Sequence, residues 1–474
     1  MSPEAPDRKR SEQSLPTNSV KTLSLTTLRE LLRLSLPMVV SQGSFAVMVF
    51  TDRWFMAQID ATHIAAAMGG GVASFFCISL FMGVITYANP LVAQYYGAGN
   101  PAKCPRVVTQ GVLIATACSP ILLLLALYGS EAFRYFDHDP AQVPLEQIYF
   151  RVLISVSFFS LVKACLASYF AGIGRTRVIM VADVLSVILN IPLSWALIFG
   201  KFGLPALGIA GAALGTVIAS IFGLTLFLTF YLSRSNRQQF KVSGSFQFDR
   251  GIMRRYLRLG IPSGLESFMN MATFNLFLLL FQSYGVIQGA AMAIVFNWDM
   301  LSFIPMIGLN ISVMSLIGKF VGKGDMARAN QVISSAFILA LGYGGALAII
   351  FLWFRMELVD VFRTPGEDFA VIRELAASMM LGLCTYMLAD ATIQVAGGTL
   401  RGAGDTRWVM VTSISVHWVM LIIQYYVIVV WQLEPMVSWW VFVAMLLTLA
   451  TAYLWRVLGG RWRHPDRLAR VMRE

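Results

Sequence analysis

Charge is scarce in this sequence. Asp, Glu, Lys and Arg together make up 13% of its 474 residues, against 57% hydrophobic, and the mean hydropathy is +0.69. Globular domains in water carry about 25% charged residues, so the composition excludes an ordinary soluble domain and indicates a chain solvated by lipid. Cysteine is also scarce. Cys77, Cys104, Cys118, Cys165 and Cys384 are odd in number, scattered and without ligand spacing, which excludes a disulfide framework and a cysteine metal site. No Walker-type lysine motif is present, and the glycines of "GAG", "GKG", "GIG" and "GAG" follow no strand that leads into a phosphate-binding helix. They are expected at helix ends, where a tight turn needs positive φ, and ATP is not expected to drive the protein. The first thirty residues are polar, with an Arg8-Lys9-Arg10 cluster and no short apolar core before a cleavage site, so no removable signal peptide is expected.

What the chain has in quantity is apolar runs. Crossing about 30 Å of hydrocarbon takes roughly 20 residues, and twelve runs qualify: 31–57, 62–95, 107–128, 148–171, 178–199, 206–232, 256–284, 287–320, 327–354, 370–400, 408–431 and 436–457. The net charge of +11 is placed by topology, not by a nucleic-acid surface. Basic residues crowd alternate connections: Lys21 and Arg29 near the start, Arg234 to Arg258 before run seven, Lys319, Lys323 and Arg328 after run eight, and Arg456 to Arg473 in the tail. The intervening connections carry Glu131, Asp137, Asp139 and Glu146, or Glu357, Asp360, Glu367 and Asp368. The positive-inside rule then predicts two cytoplasmic termini in a plasma (inner) membrane, with anionic lipid heads facing the arginines.

The sequence repeats itself. "RLSLP" ending at Pro37 returns as "RLGIP" ending at Pro262, and "YYGAGNPA" from Tyr95 returns as "FVGKGDMA" from Phe320, both 225 residues later. "AGIGRTR" from Ala171 returns as "RGAGDTR" from Arg401, 230 residues later. The reading is an all-α integral membrane protein of twelve transmembrane helices in two pseudo-symmetric six-helix bundles. Its parts are a cytoplasmic tail (1–30), a first lobe (31–232), a basic linker (233–255), a second lobe (256–457) and a basic tail (458–474). Six spans per copy relate the lobes by an axis along the membrane normal, with a cleft between them that rocking would expose to each side in turn.

Charged groups inside hydrocarbon cost about 2.5–3.5 kcal/mol on insertion scales and mark function by default. The acidic ones are Asp52, Asp183, Glu266, Asp299 and Asp390. Glu266 and Asn270 share a helix face, as do Tyr386, Asp390 and Gln394; Asn297 and Asp299, two apart, point in different directions. The second-lobe group is read as converging on an oxygen-rich pocket suited to Na⁺ or a transferable proton, with Na⁺ placed at Glu266 and Asp390. In the first lobe Asp52 is given Asp183, Asn190 and Thr216 as companions. For Asn190, Thr216 and Asn297, plain interhelical hydrogen bonding is the competing reading. Arg53 is expected to snorkel to the interface, Lys163 to pair with a carboxylate, and His417 to be a satisfied core residue. A cleft lined by Phe and Met would suit lipophilic cations.

The chain resembles the multidrug and toxic compound extrusion (MATE) transporters over its whole length from about Leu31. The resemblance is carried by "LPMVVSQ" leading to Asp52, "NPLVAQYYGAGN", "NIPLSWALIFGKFGLPALGIAGAALGT" and "LADATIQVAGGTLRGAGDT". It implies a monomeric antiporter without cofactor that exports organic cations in exchange for H⁺ or Na⁺. It matches Asp52, Asn190 and Asp390 to the family's polar positions. The chain departs from the NorM-like pattern by carrying Asn270 at the seventh-helix glutamate, with Glu266 one turn earlier. It also has Ser194 where the DinF-like branch has an aspartate, and Arg53 after the first-helix aspartate. The other readings are a lipid-linked precursor flippase, an organic-acid or siderophore exporter using Arg53 and Lys163 as anion contacts, and a non-transporting receptor or scaffold.

Overall fold

The structure is a computed structural model and describes residues 24–135, 139–363 and 369–473. The early basic cluster, Lys21, Asp137, Glu367 and Asp368 lie outside the described residues. Half one comprises α1 (Leu25–Ala57), α2 (Ala61–Thr86), α3 (Ala88–Gly97), α4 (Cys104–Tyr128), α5 (Gln142–Ser155), α6 (Ser157–Gly172), α7 (Thr176–Phe199) and α8 (Ile209–Tyr231). A short α9 (Arg234–Phe240) leads to half two: α10 (Arg250–Gln282), α11 (Val286–Lys323), α12 (Met326–Asp360), α13 (Phe369–Gly402), α14 (Thr406–Tyr425) and α15 (Pro435–Leu458). α16 (Pro465–Met472) follows. Among the described residues eleven helical stretches are long and apolar enough to cross a bilayer, and α5 with α6, bent by 48°, makes a twelfth when the pair is taken as one span. α2 and α3 form one stretch, Ala61–Gly97.

α1 and α10 extend beyond the apolar runs that announced them, because polar first turns can continue a helix into the headgroup layer. Asp60, Asp249 and Asp325 begin α2, α10 and α12, each accepting from the backbone N–H three residues on: 2.7 Å to His63, 3.1 Å to Ile252 and 3.1 Å to Arg328. Such caps satisfy donors the helix cannot.

α1 and α10 are each 33 residues long, with proline at the thirteenth, and they exchange places reciprocally. Leu31 and Leu34 of α1 pack into the core of half two, while Ile252, Tyr256 and Leu259 of α10 pack into that of half one. α1 also lies along α11, and α10 along α2. The repeated Gly-x-Gly turns sit at this end of the bundle. In all four the second glycine has positive φ: +74° at Gly99, +76° at Gly174, +76° at Gly324 and +85° at Gly404. The first glycines serve close packing instead. A methyl on Gly97 would overlap the Lys319 carbonyl, and one on Gly322 the Gln94 carbonyl, across the two halves.

Deeper along the interface, Gly83 faces Gly264, with a built Cβ only 2.8 Å from the opposing Cα. Phe76 stacks on Phe268 at 4.7 Å between ring centroids. Among the described residues no hydrogen bond, ion pair or ring contact joins the halves beyond that stack, toward the face opposite the basic one. The halves are therefore sealed at the basic face.

Candidate functional site

Asp52 lies in the penultimate turn of α1 and is 7% exposed. Thr216, on α8, donates to Asp52 Oδ2 at 2.9 Å. Ser194, on α7, also interacts with the carboxylate, and Asn190 Nδ2 donates to Ser194 Oγ at 3.1 Å. Two acceptors of this cluster, Asp52 Oδ1 and Asn190 Oδ1, are buried without a hydrogen-bond partner. Buried acceptors normally have donors, so the cluster has the chemistry of a site that takes a proton or a cation. Asp183 does not join it. Two turns away on α7, it holds Lys163 Nζ at 2.9 Å and accepts from Ser41 Oγ at 2.5 Å. Lys163 thus pairs with a carboxylate as expected. Arg53 is exposed and has no ion-pair partner among the described residues.

In half two the expected single pocket divides. Asp299 on α11 and Asp390 on α13 are half-buried and close enough for their charges to interact, with the Tyr386 hydroxyl beside Asp299. That hydroxyl is buried and makes no hydrogen bond of good geometry, leaving a donor available to a shifted carboxylate. Glu266 is elsewhere. Its carboxylate receives Arg401 Nη2 at 2.5 Å and Nε at 3.3 Å, and Tyr453 Oη at 3.4 Å. Arg401 lies eleven residues beyond Asp390 on the same helix, about 16 Å at 1.5 Å per residue. An Na⁺ shared by Glu266 and Asp390 is thereby overturned: the space is taken by a guanidinium, whose fork matches a carboxylate.

Asn270 belongs with Glu266, exchanging hydrogen bonds with Ser413 at 2.8 and 3.1 Å. His417 completes that layer, with Nδ1 2.8 Å from the Ser413 carbonyl. Asn297 is exposed and donates to the Ala293 carbonyl of its own helix, and Gln394 contributes its backbone carbonyl to Asn310 at 2.6 Å. Neither joins the Asp299–Asp390 group through a side-chain bond among the described residues. The aromatic residues nearest Tyr386 are core. Trp439 is 0% and Phe442 5% exposed, and their rings lie 6.2 and 5.8 Å from that of Tyr386. Sequence reasoning missed Arg401 because it belongs to the "RGAGDTR" turn, where an arginine reads as loop charge. Ser194 was legible as a departure, and its four-residue spacing from Asn190 is the signal for their contact.

The family model MatE matches residues 37–196 and again 262–427, two blocks that begin at Pro37 and Pro262. The chain belongs to the MatE family. It is therefore a multi-pass membrane transporter of a multidrug efflux family, not an enzyme. It is 26% identical over 459 residues to multidrug resistance protein MdtK of Yersinia pseudotuberculosis, covering 94% of this chain and 97% of that one. Among solved structures it resembles a MOP superfamily transporter from Pyrococcus furiosus described as having a binding pocket of reverse polarity. The TM-score is 0.83 at 19% identity, with 97% of this chain and all of that one covered. A multidrug resistance MATE transporter in an outward-facing conformation matches at TM-score 0.82 and 19% identity, over 94% and 97%. Both share the MatE fold with this chain.

Proposed function

We propose that the protein is a secondary antiporter that exports organic cations or drugs in exchange for inward H⁺ or Na⁺. Its two six-span halves would rock about the interface of α1, α2, α10 and α11, with the basic face and both termini in the cytoplasm. The observation that carries this reading is the division among the five intramembrane carboxylates. Asp183 and Glu266 are neutralised by Lys163 and Arg401, whereas among the described residues no cationic side chain pairs with Asp52, Asp299 or Asp390. A carboxylate surrounded by protein and lipid is costly unless it holds a proton or a cation. Three such groups, in one cluster per half, supply sites for which an incoming ion and a cationic substrate compete, which is sufficient linkage for exchange.

Both clusters fit a cleft closed on the basic side, and the drug-resistance name of the Yersinia relative supports the choice of substrate class. The anion-exporter reading loses Lys163, which Asp183 holds. A monomer is sufficient, because both clusters form within one chain.

The test is efflux of a fluorescent organic cation from whole cells or everted vesicles, with the pH and Na⁺ gradients collapsed separately. Collapse of the driving gradient abolishes efflux, and so do Asp299→Asn with Asp390→Asn. Efflux indifferent to both gradients removes the antiport reading.

A further inference from the structure

On the basic face, between the start of α1, the turn from α6 to α7 and the end of α11, lies a cavity of about 420 Å³. Its charged lining is Glu30, Arg33, Arg175 and Arg177 from half one and Lys319 from half two. These residues sum to three net positive charges. Arg33 and Arg177 are exposed and make no ion pair or hydrogen bond through their side chains among the described residues. Arg175 donates to Gln239 at 2.7 Å, and Lys319 reaches Glu30 at 2.9 Å. α7, a 24-residue helix, begins at Thr176 beside the cavity, so its positive end adds to the field.

The internal repeat shows what such a place holds when filled. The counterparts of Glu30 and Arg33 are Arg255 and Arg258, and the counterpart of Gly174 is Gly404. There the C-terminal segment occupies the space. Arg255 Nε donates to the Val471 carbonyl at 2.9 Å, Arg258 Nη2 donates to the Arg473 carbonyl at 2.7 Å, and the Val471 side chain rests on Gly404. In half one the matching stretch after α9 turns away. Lys241 adopts φ +54°, and the Ser245 and Gln247 carbonyls go to Thr109 and Gln110 at 3.0 and 2.9 Å. Gly174 is left with only Leu34 near it, at 3.8 Å. The Arg258 guanidinium meets carbonyl oxygens in half two, whereas that of its counterpart Arg33 makes no hydrogen bond among the described residues.

We propose that this cavity binds a phosphate group, carried by an anionic phospholipid head or by a soluble phosphorylated molecule, and that the bound phosphate bridges the halves and holds the basic face shut. A phosphate supplies several acceptor oxygens in the geometry guanidinium groups favour. The cavity lies where the apolar runs end, at headgroup depth. Since Lys319 is on half two and the arginines are on half one, occupancy favours the sealed arrangement over any in which these groups part. The inference is independent of which ion drives transport.

The test uses the full-length protein in detergent, titrated with short-chain phosphatidylglycerol, phosphatidylcholine of the same chain length, or inorganic phosphate, with binding read by native mass spectrometry. Arg33→Gln with Arg177→Gln alters two exposed, unpaired side chains and leaves the fold intact. The expected result is preference for phosphatidylglycerol over phosphatidylcholine, with the double variant weakening it by at least about tenfold. The same loss with inorganic phosphate instead assigns the site to a soluble ligand. Equal binding of both lipids, with inorganic phosphate not bound, overturns the proposal. So does affinity for phosphatidylglycerol and inorganic phosphate alike that ignores the double variant. Hydrogen exchange at residues 95–100 and 320–324 is expected to slow on binding in the unaltered protein and not in the variant; unchanged exchange in both overturns the bridging role.

Discussion

Two kinds of intramembrane carboxylate coexist in this chain, and substitution is expected to separate them. Glu266 is 3% exposed and holds Arg401. Glu266→Gln leaves a guanidinium without its counter-charge, a loss of about 3 kcal/mol or more. A thermal-shift measurement is expected to show a clear fall in melting temperature, recovered in large part when Arg401→Met is added. Asp390→Asn removes a charge that no cationic side chain among the described residues balances and that Asp299 repels. Its expected stability change is within about 1 kcal/mol, yet counterflow of a cationic substrate is expected to be lost. A variant series in which Glu266→Gln is stable but inactive, and Asp390→Asn unstable but active, would reverse the assignment. At this scale the sequence named all five carboxylates, because a charge inside an apolar run is visible without a structure. It did not say which were paired, because Arg401 and Lys163 reach Glu266 and Asp183 from other helices.

The helices were legible from long apolar runs, and their turns from glycine spacing. What the runs concealed is where a span breaks. The run 148–171 is two helices meeting at Val156 (φ −107°, ψ 7°), with Ser157 Oγ donating to the Ile154 carbonyl at 2.6 Å; hydrophobicity does not register such a bend. The first glycines of "GAG" and "GKG" were read as part of their turns and prove to be contact points between α3 and α11. Gly322→Val places methyls against the Gln94 carbonyl, and strain of this kind costs about 1–3 kcal/mol. The expected outcome is a weakened seal at the basic face, seen as faster hydrogen exchange at residues 94–100, with the outer half of α1 unchanged. Gly342→Val, where a side chain would meet open space, is the control and is expected to alter neither.

Taken as a whole, the molecule is closed at one end by its own tail. Asp405, 1% exposed, accepts from Arg456 at 2.9 Å and from Arg467. The fully buried Arg255 reaches Gln94 of half one and Val471 of the tail. Deleting residues 460–474 strips Asp405 of Arg467 and Arg255 of its carbonyl, so the truncated protein is expected to be less thermostable and to exchange amide hydrogens faster at α3 and α10 near the basic face. A truncation that leaves both unchanged would show the tail to be passive. The sequence by itself determined that the chain spans a bilayer, that its polar groups are few and costly, and that it is built from two copies of one unit, since each of these follows from composition and periodicity. Only the tertiary structure decided which buried carboxylates carry a counter-ion, which end of the interface is sealed, and that the two copies differ in what fills the space beside their Gly-x-Gly turns. Those are relations between helices distant in sequence, and the energy of a buried charge is set by what folding brings next to it.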